Sequence, residues 1–438
     1  MPRLRVWLVS IVLLTSTAAN AAGAGLGAND PWFQANQAEL LALYTQLHTH
    51  PELSFHEIKT AERVAAELRK VGAEVTTGVG KLGVVGLLKN GPGATVLIRA
   101  DLDALPVVEA TGVPYASKVT TLDAAGKSVG VMHACGHDVH MTCLVGTARW
   151  LAAHRDRWSG TALLIGQPAE EAIGGAKAML DDGLYTRFPK PDFAIALHVT
   201  SDEPTGTVTY TTGPALAGST ALDVVIRGKG GHGASPHLTV DPIVLAALAI
   251  VDFQSIVGRE VNPIHPAVLT VGSIHGGSKH NIIGDEVKLQ LTLRAYRDDV
   301  RDLLIDGVKR RVSGLAAAHR APEPSVKVVE STPPTINTPS LVARVVPTLV
   351  ESLGRSNVKE VEPVMGAEDF GLYAQGGVPT FMFRLGSISR QRIDDAREKG
   401  EPLPSLHSAL YYPDPVPSIE TGVRAMTAAA IELLRSKP

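Results

Sequence analysis

Three compact apolar runs constrain the fold of this chain more than any other feature of its sequence. They cover residues 94–100, 161–166 and 193–197, and helical patterns separate them. Strands buried on both faces of a parallel sheet show such continuous apolar stretches instead of polar–apolar alternation. The sequence therefore predicts an α/β fold in which helices cover both faces of a mostly parallel sheet.

Each apolar run leads into side chains that can carry chemistry. Asp101 and Asp103 follow the first run, Glu170 and Glu171 the second, and His198 the third. Open α/β sheets bind their ligands beyond the carboxyl ends of the strands. A single acid after a strand usually caps a turn or a helix, but polar groups after three successive strands predict a shared functional site.

The segment His133-Ala-Cys-Gly-His-Asp-Val-His140 gathers three imidazoles, a thiol and a carboxylate ahead of a predicted helix. Cys135 and His137 can converge on a borderline-soft cation such as Zn²⁺. Taken singly, these residues could instead be a helix cap from Asp138, a buried free cysteine or packed histidines. Desolvating so many ionisable groups together is costly unless a bound ion compensates, so the group predicts a metal site.

The chain changes character near Gly213-Pro214, where a second structural unit is predicted. Its elements follow the order of a ferredoxin-like sandwich: strand 221–227, helix 241–257, strands 267–273 and 286–296, helix 300–319 and strand 325–329. From Thr338 onwards, long helices and apolar strands return. We therefore expect a small α+β domain (214–331) inserted into a catalytic α/β domain (30–213 and 332–438).

The composition of the chain excludes several classes of protein. Its 438 residues are enough for two domains, with 45% apolar residues, 19% charged residues and a net charge of −3. These values indicate neither a disordered chain nor a polybasic surface. Nucleic acid is therefore not an expected partner.

The N-terminus has the pattern of a secretory signal peptide. Arg3 and Arg5 precede the apolar run 6–14, and Ala19-Asn20-Ala21 offers a cleavage site, so residues 1–21 form the predicted signal. The run is far shorter than the roughly 20 apolar residues that a membrane anchor needs, and no other stretch is expected to span a bilayer. We expect a periplasmic or extracellular protein without a stable membrane anchor.

Cys135 and Cys143 are the two cysteines of the chain. Export would permit a disulfide between them, but that bond would remove the best metal ligand of the segment. A free, metal-binding Cys135 and an inert core Cys143 are therefore expected.

Five motifs occur in an order that resembles a known family, over a range from about Leu40 to the C-terminus. They are Arg99-Ala-Asp-Leu-Asp-Ala-Leu-Pro106, His133-Ala-Cys-Gly-His-Asp-Val-His140, Gln167-Pro-Ala-Glu-Glu171, Gly231-His-Gly-Ala-Ser-Pro236 and Gly366-Ala-Glu-Asp-Phe370. Together they resemble the metal-dependent aminoacylase/carboxypeptidase family. The branch is that of hippurate hydrolase, N-acyl-amino-acid amidohydrolases and plant auxin-conjugate hydrolases.

The resemblance implies a centre of two divalent metal ions. A set of Cys, His and Glu ligands suits zinc and would also accept manganese, cobalt or nickel. The implied ligands of this centre are Cys135 as the bridging group, His137, Glu171, His198 and His407. The family often has Pro two residues after this last histidine, where Ala409 stands here, so the turn around His407 is expected to differ.

The resemblance also implies roles for residues that bind no metal. Glu170 resembles the general base, and Asp103 resembles the acid that orients a ligand imidazole. His232 resembles a histidine of the inserted lid domain that reaches the partner subunit's active site in a homodimer. Asn281 and Arg294 resemble the groups that hold the substrate's α-carboxylate. From strand periodicity alone, Arg294 would be a solvated surface residue.

These features predict an exported amidohydrolase that cleaves N-acyl amino acids, with Glu170 as base towards a metal-activated water. A carboxypeptidase or dipeptidase acting on short peptides is an alternative with the same site. A non-catalytic exported binder of amino-acid conjugates and a structural zinc protein are alternatives of other classes.

Overall fold

The computed structural model describes residues 30–123 and 126–435. The predicted signal peptide, residues 1–21, lies outside the described residues. The helices are α1 (Pro31–Thr49), α2 (Ile58–Lys70), α3 (His137–Ala153), α4 (Gly175–Asp181), α5 (Leu184–Arg187), α6 (Pro242–Arg259), α7 (Asp298–Ala318), α8 (Pro339–Leu353), α9 (Arg390–Lys399) and α10 (Pro415–Leu434). Short 3₁₀ helices cover Arg155–Arg157, Pro236–Leu238, Arg355–Asn357 and Asp369–Gly377.

The strands form one large sheet, one four-stranded sheet and three small two-stranded sheets. They are β1 (Glu74–Val79), β2 (Gly83–Asn90), β3 (Thr95–Asp101), β4 (Thr120–Leu122), β5 (Ser128–Gly130), β6 (Gly160–Gln167), β7 (Phe193–Pro204), β8 (Val208–Tyr210), β9 (Gly213–Leu216), β10 (Gly218–Arg227), β11 (Gly231–His232), β12 (Ala267–Gly276), β13 (Ile282–Ile283), β14 (Glu286–Ala295), β15 (Ser325–Thr332), β16 (Thr335–Asn337), β17 (Val358–Glu360) and β18 (Thr380–Ile388).

The large sheet has the strand order β1-β2-β6-β3-β7-β18-β8-β17. Its centre, β6-β3-β7-β18, is parallel throughout, and antiparallel pairings bring in β1, β2 and β8 around it. The three apolar runs of the sequence are β3, β6 and β7. The predicted α/β class with a mostly parallel sheet is confirmed.

Alternate residues of the central strands enter two different cores, which is why these strands are apolar throughout. Val96 and Ile98 belong to the core beneath α1, α2, α3, α8 and α10, whereas Leu97 faces the core beneath α4 and the 3₁₀ helix Asp369–Gly377. Both faces are therefore covered, one by long helices and the other by short ones.

The segment between β9 and β16 forms a separate α+β unit. Its antiparallel sheet has the order β12-β14-β10-β15, and α6 and α7 pack against it. In β14 the alternation predicts the faces correctly, since Val287 and Leu289 are buried while Lys288 and Gln290 are exposed. The order of elements and strands is that of a ferredoxin-like sandwich. The expected limits, 214 and 331, fall within β9 and near the end of β15.

Helix α6 corrects one expectation from the sequence. Among the described helices, Pro242–Arg259 is long and apolar enough to cross a membrane by length and composition. However, Leu245, Ala249 and Phe253 on one side of it are buried in the core of the inserted unit. The helix is therefore apolar on both sides, because further apolar residues, among them Val244 and Val251, lie on its exposed side.

Candidate metal centre

The carboxyl ends of β3 and β6 and the start of α3 meet at one point of the large sheet. Asp101 ends β3, Glu170 and Glu171 follow β6, and Cys135 lies two residues before α3. The prediction that His198 follows the end of its strand is wrong, because β7 continues to Pro204. Its pairing with β18 runs on past the apolar segment, so backbone hydrogen bonds, which composition does not reveal, set the end of this strand.

Gly136 makes the approach of the cysteine possible. Its φ of 75° lies in the left-handed region that favours glycine, and a Cβ at this position would lie 2.6 Å from Val199 Cγ2. The glycine allows the chain to turn between Cys135 and His137 against the neighbouring strand β7. Both side chains thereby face the same space at the start of α3.

The structure brings together all five residues that the sequence predicts as metal ligands. Cys135 Sγ lies 3.5 Å from His198 Nε2 and 3.3 Å from His407 Nε2. Glu171 Oε1 lies 3.4 Å from His407 Nε2 and 3.8 Å from His137 Nε2. Two sets of donor atoms, each within 4.8 Å of one another, share the cysteine: Cys135, His137 and His198 form one, and Cys135, Glu171 and His407 the other.

Hydrogen bonds fix the tautomer that two of these imidazoles adopt when they are neutral. His137 Nδ1 donates to the Asp103 carbonyl at 2.8 Å, and His198 Nδ1 donates to the Val199 carbonyl at 2.7 Å. Because a carbonyl oxygen can only accept, Nδ1 carries the proton and Nε2 presents its lone pair to the site in the neutral ring.

Two buried atoms of the site lack partners within the described part of the chain. His137 Nε2 and Glu171 Oε1 are buried without a hydrogen bond to any residue that the structure describes. Buried polar atoms are costly when unsatisfied, and these two face the Cys135 sulfur and its neighbours. Thiolate, imidazole and carboxylate are a donor set that suits zinc and related divalent ions, so the residues fit a bound metal pair.

Asp103 supports two members of the donor set. Its Oδ2 accepts from the Glu171 backbone N–H at 3.0 Å and from Ser54 Oγ at 2.7 Å, and its Oδ1 lies 3.4 Å from His137 Nδ1. Such contacts fix the orientation of ligand side chains. Asp103 therefore stands where the sequence predicts an orienting acid.

His140, the third histidine of the motif, uses both ring nitrogens in support. Its Nδ1 lies 2.6 Å from Asp101 Oδ1, and its Nε2 accepts from the Val199 backbone N–H at 2.9 Å. No lone pair is left for a metal, so His140 holds β3, α3 and β7 together beneath the site.

Glu170 is buried beside the donor set, with its Oε2 3.9 Å from His137 Nε2. Burial, together with the nearby carboxylates of Glu368 and Glu171, raises the pKa of Glu170 well above its ordinary value. Ala169 has a φ of 49°, a strained conformation that is held by a 2.7 Å hydrogen bond from its N–H to Glu57 Oε1. A carboxyl with a raised proton affinity beside a metal site is suited to accept and return a proton.

A buried charge network beneath Glu170 was not predicted from residue patterns. Arg99 donates to Asp101 and Glu368, both at 2.7 Å, to Asp369 at 3.1 Å and to Gln167 at 3.0 Å. The signal was an arginine inside an otherwise apolar strand. The network also explains the acidic turn at Gly366–Phe370, whose two carboxylates both bind this arginine.

His407 reaches the site from the long loop after α9. Its backbone φ is 67°, and its N–H donates to the Ala134 carbonyl at 2.9 Å, next to Cys135. Its side chain remains 54% exposed, which makes it the most accessible donor of the set. The loop thus closes over the cysteine from the solvent side.

The inserted unit contributes to the cleft in front of these donors. A cavity of about 790 Å³ is lined by Cys135, Glu170 and His198 on one side and by Arg294 on the other. His232 and Asn281 do not line it. They lie together on the exposed ribbon of β11 and β13, where Gly233 N–H donates to the Asn281 carbonyl.

Both cysteines are free thiols and both are buried. Cys143 lies within the core under α10, where burial raises its pKa, and it contacts no member of the donor set. Burial also raises the pKa of Cys135, but the neighbouring His198 charge and the contacts with His137, His198 and His407 outweigh it and leave the pKa at about 6.

Metal binding should release protons, because three ligand imidazoles of the metal-free site are charged at neutral pH. Burial lowers the pKa of His137, but Asp101 and Asp103 raise it well above its ordinary value. Burial lowers the pKa of His198, but the Cys135 thiolate raises it to about 9, and hydrogen bonds to Cys135 and Glu171 raise that of His407 to about 10. Ligand imidazoles must be neutral. We expect the release of about three protons per site near pH 7.5, and a metal affinity that rises at least up to about pH 9 to 10.

Calorimetric titration of the metal-free protein with Zn²⁺, in buffers of different ionisation enthalpy, measures this release. A binding enthalpy that is the same in every buffer would contradict it.

A family model, two relatives and one solved structure that match this chain are all named as peptidases or hydrolases. The sequence model of the family described as "Peptidase family M20/M25/M40" matches residues 97–410. "Thermostable carboxypeptidase 2" of Saccharolobus solfataricus is 39% identical, over 81% of this chain and 87% of that protein. "Hippurate hydrolase" of Campylobacter jejuni is 36% identical, over 77% of this chain and 86% of that protein. The crystal structure of Bacillus subtilis YXEP, described as a dinuclear metal binding peptidase from the M20 family, superposes with a TM-score of 0.74 at 28% identity, over 92% of this chain and 99% of that one.

Proposed function

Because this chain belongs to peptidase family M20/M25/M40 and is a metal-dependent amidohydrolase, we propose that it cleaves N-acyl amino acids to release a free amino acid. The observation that carries the proposal is the juxtaposition of Glu170 with a donor set built around Cys135. Arg294 lies across the same cleft. A cleft with a base at one wall and a guanidinium at the other suits an amide whose amine side ends in a carboxylate.

Two ions of zinc or, alternatively, manganese, cobalt or nickel would be held by Cys135, His137, Glu171, His198 and His407, and both donor sets would use Cys135. When bound, such ions lower the pKa of water from 15.7 towards about 7 and polarise an amide carbonyl. Glu170 accepts a proton from the attacking water and delivers it to the departing nitrogen. Arg294 holds the α-carboxylate through its two-pronged guanidinium, which orients the amide towards Glu170.

Carboxypeptidase activity on short peptides is the second candidate. The relative from Saccharolobus solfataricus, 39% identical, is named a carboxypeptidase, and a peptide with a free C-terminus presents the same amide and the same carboxylate. The alternatives without catalysis do not apply, because the chain is a metal-dependent amidohydrolase of this peptidase family.

A substrate panel on metal-free and metal-reloaded protein tests the proposed function. We expect N-acetyl and N-benzoyl amino acids to be hydrolysed, the activity to disappear with chelation and to return with added metal. Dipeptides hydrolysed faster than every N-acyl amino acid would favour the second candidate. Metal-reloaded protein that hydrolyses none of these compounds would refute both.

We further propose that the protein is a homodimer joined through the inserted unit. Val244 and Val251 of α6 are 51% and 74% exposed, and β12 beside it is an edge strand of its sheet. Large exposed apolar residues on one helix face favour association with a second copy. His232 and Asn281 project from the same unit but do not line the cleft of their own chain. In a dimer they could serve the partner, His232 as an oxyanion donor and Asn281 at the α-carboxylate.

Mixing two inactive variants tests this arrangement. Protein carrying His232→Ala and protein carrying Glu170→Gln should each be inactive or nearly so, because each lacks one part of every site. After subunit exchange, mixed dimers hold one site with both residues intact, so up to about a quarter of the wild-type activity should return at equal mixing. Exchange confirmed by mass spectrometry without any regained activity would contradict a role of His232 across the dimer.

Export to the periplasm or the exterior is proposed from the N-terminal pattern of Arg3, Arg5 and the apolar run 6–14. N-terminal sequencing of the mature protein checks it, with the chain expected to begin after Ala21.

A further inference from the structure

Arg384 is a second arginine in the cleft, and the proposed function gives it no role. It lies on β18, directly beside His198 of β7 in the parallel register of the two strands. Side chains at paired positions of neighbouring strands point to the same face of the sheet. Arg384 accordingly lines the same cavity as Cys135, His198 and Arg294.

The guanidinium of Arg384 forms no hydrogen bond or ion pair with any residue in the described part of the chain. The acids closest to it in electrostatic terms are Asp202 and Glu203. Neither forms an ion pair with it, and Glu203 is bound to Lys359 at 2.9 Å. Arg384 thus differs from Arg99, whose donors are used by Asp101, Glu368, Asp369 and Gln167.

A half-buried guanidinium without a partner is unfavourable unless a ligand supplies one. The side chain of Arg384 is only partly exposed, so its charge is partly removed from water. On β18 it follows Phe381, Met382 and Phe383 and precedes Leu385, all buried, so its neighbours on the strand are apolar. A substrate carboxylate in the cleft would supply the missing acceptors, and the planar fork of arginine suits a carboxylate in particular.

We propose that Arg384 binds a second anionic group of the substrate, distinct from the α-carboxylate at Arg294. The inference rests on the proposed function and narrows its substrate class to N-acyl amino acids that carry an additional carboxylate. That carboxylate belongs either to the amino-acid side chain, as in N-acyl glutamate, or to the acyl group, as in N-succinyl amino acids. A cavity of about 790 Å³ has room for either.

Matched ligands test the proposal by binding, without reliance on turnover. The metal-loaded Glu170→Gln protein is titrated with N-acetyl-glutamate against N-acetyl-glutamine, and with N-succinyl-leucine against its succinamide analogue. Each pair differs only in the second charge. We expect the acid of at least one pair to bind about 10 to 100 times more tightly than its amide, because hydrogen bonds between charged groups strengthen binding by about that factor. The pair that shows the preference identifies which end of the substrate Arg384 faces.

Substitution of Arg384 assigns the preference to this residue. In the Glu170→Gln background, Arg384→Met should remove the preference for the acid, and Arg384→Lys should restore part of it. Arg390→Met, an exposed arginine at the start of α9 outside the cleft, is the matched control and should keep it.

Two outcomes would overturn the inference: equal affinity for acid and amide in both pairs, or a preference that survives Arg384→Met. If Arg384→Met weakens the binding of acid and amide equally, the arginine supports the cleft without recognising the second charge, which also overturns the inference. Failure of wild-type protein to hydrolyse any compound of either pair counts against the proposed function alone, since the binding preference is measured separately.

Discussion

Replacing Glu170 with Gln is expected to lower kcat by at least about 10² to 10⁴-fold, the usual contribution of a positioned general base. The amide has nearly the same shape as the carboxyl group but cannot accept the proton of the attacking water. Metal content should remain at the wild-type level, because Glu170 is not one of the five proposed metal ligands. Steady-state hydrolysis of an N-acetyl amino acid, with metal analysis of the same samples, measures both.

The pKa of Glu170 explains why this variant should fold normally. Burial and the charges of Glu368 and Glu171 raise that pKa, so a neutral amide resembles the protonated carboxyl that the metal-free site favours. Glu398→Gln, an exposed glutamate on α9, is the matched control and should retain full activity. Turnover of Glu170→Gln within a few-fold of wild type, at unchanged metal content, would remove Glu170 from the chemistry.

Replacing Arg99 with Met is expected to lower the free energy of unfolding by about 3 to 5 kcal/mol, the usual cost of removing one partner of a buried ion pair. The substitution keeps an unbranched side chain in the strand but leaves Asp101, Glu368 and Asp369 without their shared cation. Burial of the three carboxyl groups then favours their protonation or local unfolding.

Tryptophan fluorescence during urea unfolding of the metal-free protein measures this loss. The described tryptophans, Trp32, Trp150 and Trp158, all lie in the catalytic unit, so the signal reports the domain that holds Arg99. Lys89→Met, which breaks the exposed ion pair with Glu74, is the control and should lower the free energy of unfolding by about 0 to 1 kcal/mol. A loss for Arg99→Met no larger than that of the control would show that the network contributes no stability.

The parts of the fold that the sequence predicts are those set by local pattern. The apolar runs of β3, β6 and β7 and the alternation along β14 depend on which face each residue presents, and periodicity records that directly. The extension of β7 beyond Leu197 depends on pairing with β18, which lies almost 190 residues further along the chain and leaves no local trace. The hydropathy of α6 likewise does not distinguish a membrane span from a helix with one face on a core and the other exposed.

The residues of the site also divide into those with a local sequence signal and those without one. Cys135, His137 and the pair Glu170-Glu171 stand out because several reactive groups are close in sequence. His407 and Arg294 carry no such signal, since a lone histidine or arginine is more often a surface residue, and the resemblance to a family gave them their roles. Arg384 resembles neither case: an arginine in an apolar strand, it becomes informative only when its missing partners are visible in three dimensions. His232 and Asn281 cannot be interpreted from one chain, because the proposal places their contacts in a second copy.

The central claim is that side chains from Cys135 to His407 hold two metal ions with a shared sulfur. A crystal structure of the zinc-loaded protein, with anomalous diffraction recorded at the zinc edge, tests it most directly. We expect two anomalous peaks about 3.5 to 4 Å apart, each about 2.3 Å from Cys135 Sγ. A single peak, or two peaks that both lie beyond bonding distance of that sulfur, would contradict the account.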